Sequence, residues 1–185
     1  MSNQIAYVTS DLHLGHANII KYCQRPFKSV GHMNEELVLR WNATVRPGDV
    51  VYHLGDLCMG KWAGWVARLN GRKVWVQGNH DKRRQYKECA TVEEFMMVTC
   101  GGKRVLMYHY PLWKESEYMS APQHINEQLA LCDVLLYGHT HDKPEPDRPG
   151  WARRVCVEDW DYRPIALETL VAGMDSRHAN NTPEW

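Results

Sequence analysis

Ile5-Ala6-Tyr7-Val8-Thr9-Ser10-Asp11-Leu12-His13-Leu14-Gly15-His16 decides how the rest of the chain is read. Its first half is a short apolar run, as expected of a buried strand. Its second half sets Asp11 and His13 two residues apart, on one side of an extended segment. The same change from apolar run to polar loop recurs downstream. Val50-Val51-Tyr52-His53-Leu54 runs into Gly55-Asp56, and the strand expected from Lys73 to Gln77 runs into Gly78-Asn79-His80-Asp81. Lys103 to Tyr108 precedes His109, and Val134 to Tyr137 precedes Gly138-His139-Thr140-His141. Aspartate, asparagine and neutral imidazole are the oxygen and nitrogen ligands of divalent transition metals. They are too many for one tetrahedral ion and suit two ions that share a carboxylate. Glycine precedes Asp56, Asn79 and His139, which allows close approach of the backbone to an ion.

Helical patterns alternate with these strands. One or two turns are expected between Ala17 and Tyr22, interrupted by Arg25-Pro26-Phe27, because proline ends helices at the residue before it. Met33, Leu37, Trp41 and Val45 recur every four residues, a helical stripe. Trp62, Trp65, Val66 and Leu69 mark another helix, and further helices are expected over 81–88, 123–131 and 165–172. Two strands, 92–99 and 103–108, flank the hairpin signal Gly101-Gly102. One more strand is expected over 153–157, and the final dozen residues read as frayed. With no repeat or linker, 1–185 reads as a single domain. Loops at the C-terminal ends of strands in an α/β sheet converge on one cleft, so distant motifs can meet there.

Of 185 residues, 44% are apolar, with eight Trp and nine Tyr against two Phe. Those amphipathic rings can build a core or line a wet cleft. Lysine plus arginine equals aspartate plus glutamate, 22 each, which argues against a broad nucleic-acid surface and leaves room for a local basic patch. No stretch reaches the ~18 apolar residues of a membrane span, and no basic-then-apolar leader is visible, so a cytoplasmic location is expected. Six cysteines without a Cys-x-x-Cys pair read as free thiols. Cys58, two residues after Asp56, is the one expected near the site.

Taken together and in order, Asp11-x-His13, Gly55-Asp56, Gly78-Asn79-His80-Asp81, His109 and Gly138-His139-x-His141 resemble the calcineurin-like metallophosphoesterase family, over residues 5 to 165. The resemblance implies an α/β fold, a four-layer α/β/β/α sandwich of two mixed sheets. It implies that Asp11, His13 and His141 bind a first metal ion, that Asn79, His109 and His139 bind a second, and that Asp56 bridges them. His80 would face the substrate and protonate or stabilise the leaving oxygen, with Asp81 orienting it. The ions would be divalent, Mn²⁺ foremost with Fe²⁺, Zn²⁺ or Ni²⁺ open, and would make a bridging hydroxide available near neutral pH.

The departures narrow the reading. Gly55-Asp56 is followed by Leu57-Cys58-Met59-Gly60, without the acidic residue and Arg-Gly of phosphoprotein phosphatases, and Gln77 stands where they carry Arg. The chain is also short for the family's large DNA-repair nucleases and looks like the small capless bacterial or phage enzymes. The expected activity is phosphodiester hydrolysis on small or nucleotide-type substrates. A phosphomonoesterase and a catalytically inactive scaffold are the alternatives.

Other residues admit two readings each. His16 faces substrate or caps the following turn. Arg25 aims at a phosphate or sits in a surface turn. Lys82, Arg83, Arg84 and Lys87 form an electropositive lip or a solvated helix face. Trp113 stacks on a base or packs in the core. His53 reads as a hydrogen-bonded core histidine, and Asp159 to Pro164 as a fold-closing segment in which Arg163 is a weak phosphate candidate.

Overall fold

The computed structural model describes residues 4–60, 62–81 and 92–178. The helix expected over 81–88, apart from Asp81, lies outside them, as do Lys82, Arg83, Arg84, Lys87 and Cys89.

Two mixed sheets lie face to face. In the first, β1 (Ala6–Thr9), β2 (Val50–His53), β3 (Arg72–Val76) and β4 (Val92–Glu93) run parallel, and β9 (Ile165–Ala166) joins β1 antiparallel, giving the order β4-β3-β2-β1-β9. In the second, β5 (Met96–Cys100) pairs antiparallel with β6 (Lys103–Met107), which continues in parallel to β7 (Val134–Tyr137) and β8 (Ala152–Arg154).

Alternation of side chains along the strands builds three apolar layers. Val8 and Val76 of the first sheet meet Val105, Met107, Val134 and Leu136 of the second between the sheets. On the outer face of the first sheet, Tyr7, Val51 and Trp75 pack under Met33, Leu37 and Trp41 of α2 (Val30–Thr44). On the outer face of the second, Leu106, Leu135 and Tyr137 pack under Ile125 and Leu129 of α5 (Gln123–Leu131). The result is the four-layer α/β/β/α order. The Met33-Leu37-Trp41 stripe is the buried side of α2, whose start is capped by Ser29 accepting from His32 N–H at 3.2 Å.

The structure corrects several element boundaries, among them the strand expected over 153–157, which is β8, Ala152–Arg154. The strand expected over 92–99 is two strands in different sheets, because the chain crosses between sheets at 94–95. The last helix is preceded by β9, with α6 confined to Leu167–Ala172. The segment expected to fray is packed at its start: Met174 is buried, and Arg177 N–H donates to Asp133 C=O at 2.8 Å. The helix begun by Trp62 ends at Val66, so Leu69 packs from the following turn, and the short helix Glu115–Ser120 was not foreseen. Among the described residues, no helix is long and apolar enough to cross a membrane.

Candidate metal centre

The loops that follow β1 and β2 run on side by side after the strands end. Asp11 N–H donates to Gly55 C=O and His13 N–H to Asp56 C=O, each at 3.0 Å, and Leu14 N–H to Leu57 C=O at 2.9 Å. Parallel pairing thus carries Asp11, His13 and Asp56 to one place. The backbone there is not the extended one expected from the Asp-x-His spacing. Asp11 (φ 57°), His13 (51°), Asp56 (59°), His139 (71°) and His141 (50°) all lie in the left-handed region. That conformation costs a non-glycine residue on the order of 1 kcal/mol, so backbone strain is concentrated where the side chains converge. Glycine is needed for a related reason. A Cβ on Gly78 would strike the Asp56 carboxylate, and one on Gly138 would strike the Asp11 carboxylate.

Two donor clusters result. In the first, Asp11 Oδ1 lies 3.7 Å from His13 Nε2 and 3.6 Å from His141 Nε2. Asp11 Oδ2 is already occupied, accepting from His139 N–H at 3.0 Å and from the Cys156 thiol at 3.2 Å. Asp11 Oδ1 and His13 Nε2 are buried without a hydrogen-bond partner among the described residues. In the second cluster, Asn79 Oδ1 lies 2.8 Å from His109 Nε2 and 2.9 Å from His139 Nδ1. His109 Nδ1 donates to Leu54 C=O at 2.7 Å, so a neutral ring presents a lone pair at Nε2, facing another acceptor. Between the clusters, Asp56 Oδ2 lies 3.5 Å from His13 Nε2 and 3.7 Å from His109 Nε2. Asp11 Oδ1 and His13 Nε2, buried and unpartnered, and the convergence of Asn79 Oδ1 with two imidazole nitrogens fit a bound cation, and oxygen and imidazole donors suit a divalent transition metal.

Residues 6–152 match the calcineurin-like phosphoesterase superfamily domain. The chain belongs to that family. Uncharacterized protein MJ1445 of Methanocaldococcus jannaschii is 35% identical to it over 181 residues, covering 92% of each chain. The gene 66 protein of Mycobacterium phage D29 is 30% identical over 169 residues, which cover 77% of this chain and 80% of that one. Among solved structures, AQ665 of Aquifex aeolicus, a protein of unknown function, aligns with a TM-score of 0.72 at 29% identity, covering 89% of this chain and 96% of its own.

As expected of a metallophosphoesterase, the donor clusters floor an open cleft of about 340 Å³, with His16, Ile19, Tyr22, His80 and Lys143 in its walls. His80 is exposed, and its ring stands 5.5 Å from that of His13. His16 is half-buried, 5.4 Å from the His13 ring. Burial and the neighbouring His13 lower its pKa.

Asp81 has a job that the sequence did not suggest. Its buried carboxylate accepts the backbone N–H groups of Asp56 at 2.7 Å, Gly78 at 2.8 Å and Leu57 at 3.3 Å, and so holds the loop that carries Asp56 against the loop that carries Asn79.

Arg25 is corrected outright. It neither reaches the cleft nor sits in a surface turn. Its guanidinium is buried, donating to Glu158, to Asp11 C=O at 2.7 Å and to Leu12 C=O at 2.8 Å. Trp113 packs against the core of the second sheet's outer face, and Arg163 pairs with Asp161 at 3.0 Å. Cys58 is buried, and it is Cys23 that lines the cleft.

Glu158 and Cys156 went unforeseen. Both flank the start of a 3-10 turn (Val157–Trp160) just after β8, where the strand expected over 153–157 meets the fold-closing segment expected from Asp159.

Electrostatics separate the two clusters. Burial opposes ionisation of Asp11, but His13, His109 and His141 hold its carboxyl well below the usual range. Burial also opposes protonation of His141, but Cys23, Glu158 and Asp11 outweigh it and raise the ring to about 10. Burial, reinforced by His109, pushes His139 down to about 4. In the first cluster an ionised Asp11 therefore faces a protonated His141, and the second offers a neutral imidazole at His139.

Proposed function

We propose that this chain is a two-metal phosphodiesterase acting in the cytosol on small or nucleotide-type phosphodiesters. The observation that carries the reading is the position of the Asp56 carboxylate, one oxygen of which lies 3.5 Å from His13 Nε2 and 3.7 Å from His109 Nε2. A carboxylate between two donor clusters is what a shared ligand requires. Asp11, His13 and His141 would hold one ion, Asn79, His109 and His139 the other, and Asp56 both. Such ions act as Lewis acids on phosphate oxygens and make a water acidic enough to lose its proton near neutral pH. Mn²⁺ is the choice we favour for this donor set.

The chain's own side chains supply the rest. Lys143 at the cleft wall balances phosphate charge. His80, exposed beside the first cluster, gives its proton to the departing oxygen. Ile19 and Tyr22 offer an apolar wall for the second ester group, which supports a diester over a monoester. Comparing bis-p-nitrophenyl phosphate with p-nitrophenyl phosphate in Mn²⁺-reconstituted protein tests the reading. Faster hydrolysis of the diester is expected, and a preference for the monoester would overturn it. Wild-type hydrolysis no faster than that of both Asp56→Asn and His80→Ala, or a protein that binds no metal, would restore the scaffold alternative.

A further inference from the structure

Arg25 and Glu158 stand 133 positions apart and meet beside His141. The Arg25 side chain is fully buried and that of Glu158 is 5% exposed. Glu158 Oε1 accepts from Arg25 Nε at 2.9 Å and Nη2 at 2.6 Å, and it lies 3.0 Å from His141 Nδ1. The same guanidinium donates to the carbonyls of Asp11 and Leu12. One buried ion pair therefore touches the loop that carries Asp11 and His13 and also the ring of His141.

We propose that Glu158 and Arg25 are positioning residues for the first metal site. Glu158 engages His141 Nδ1 and so turns Nε2 toward Asp11, while Arg25 fastens Glu158 to the main chain on which Asp11 and His13 sit. The inference rests on the two-metal reading. A buried ion pair contributes little net stability, because desolvation offsets its attraction. Its effect here is geometric: a carboxylate on the far nitrogen of a ligand histidine fixes the ring and raises its basicity, and removing such a partner typically weakens metal binding about 10–100-fold.

A rival arrangement is available in the same place. Donor atoms of Cys23, His141 and Glu158 lie within 4.8 Å of one another, and Glu158 Oε2 is buried without a hydrogen-bond partner among the described residues. Glu158 could then be a ligand itself.

Titration of Mn²⁺ into the protein by calorimetry, with metal content counted by mass spectrometry, decides between them. Glu158→Gln is expected to weaken one of two Mn²⁺ equivalents about 10–100-fold and leave the other unchanged. Arg25→Lys keeps the charge but not the fork, and is expected to weaken the same equivalent by a smaller factor; it carries the test if Glu158→Gln does not fold. Two equivalents of unchanged affinity in both variants, or both weakened together with the melting temperature, would overturn the proposal. So would a wild-type count of three ions that falls to two in Cys23→Ser. Wild-type protein that binds no divalent ion would overturn the two-metal reading along with it.

Discussion

Asp81 accepts the backbone N–H of Asp56 at 2.7 Å, although 25 positions separate them. Gly78 and Leu57 donate to the same carboxylate, so one side chain holds the loop after β2 against the loop after β3. Hydrogen bonds to a charged group contribute about 1.5–3 kcal/mol each, and a buried donor left unsatisfied costs a comparable amount. Asp81→Asn keeps the shape, loses the charge and replaces an acceptor oxygen with a donor. Urea unfolding should show a loss of about 2–4 kcal/mol, and Mn²⁺ affinity should fall with it. Unchanged stability would remove Asp81 from the structural role that the geometry gives it.

Why the candidate donors were legible and their supports were not follows from how each is encoded. Asp11, His13, Asp56, Asn79, His109, His139 and His141 each sit just past a strand that reads clearly as an apolar run, so their convergence follows from sheet topology. Arg25 and Glu158 reach the same place from loops, through a contact across 133 positions. No local periodicity encodes that contact. Asp81 follows His80 and invites a pairwise reading, while it also accepts backbone amides of loops whose left-handed turns carry no sequence signature except their glycines. The break between β4 and β5 escaped notice because a strand that changes sheets keeps the same apolar pattern on both sides of the crossing.

The role proposed for the exposed His80 ring beside His13, protonation of a leaving oxygen, has a signature. General acid catalysis is worth about 10²–10⁴-fold, but only where the leaving group is basic. His80→Ala should lower kcat by that order for an alkyl diester and much less for a p-nitrophenyl diester, whose leaving group needs no proton. Metal content should not change, because the contact of residue 80 with Asp56 Oδ1 comes from its backbone N–H, at 2.9 Å. Equal losses on both substrates would show that His80 acts on bound phosphate and not on the leaving group.

Tyr22 is 70% exposed at the cleft wall, with its ring 6.2 Å from that of His16. Stacking of a base on an aromatic side chain is worth about 1–3 kcal/mol. Tyr22→Ala should therefore raise KM for a nucleoside phosphodiester roughly 10-fold, equivalent to about 1.4 kcal/mol, with kcat little changed. A dialkyl phosphate has nothing to stack, and its KM should stay as in the wild type. If KM rises equally for both, Tyr22 shapes the cleft and does not select the ester group.

His53 gives a prediction on stability alone. It is fully buried, its ring lies 4.6 Å from that of Trp75 and stacks on Trp41 at 6.4 Å, and neither ring nitrogen has a hydrogen-bond partner among the described residues. The sequence suggested a hydrogen-bonded core histidine; the structure gives an apolar slot. Burial pushes its pKa down to about 3, with the Asp11 charge only partly opposing. In the unfolded chain the same ring titrates near 6.5. Above that pH the ring is neutral in both states and contributes no pH dependence. As pH falls below it, the unfolded state takes up a proton that the folded state refuses, so stability is lost progressively down to about pH 3. The slope reaches at most about 1.4 kcal/mol per pH unit. His53→Phe fills the slot without a titrating group. The stability difference between variant and wild type, from urea unfolding at matched metal concentration, should be small or in favour of Phe at pH 7. It should widen by about 1 kcal/mol for each unit between pH 6 and 4. Parallel pH profiles would mean that the ring is protonated inside the fold, and that something in the core accepts its charge.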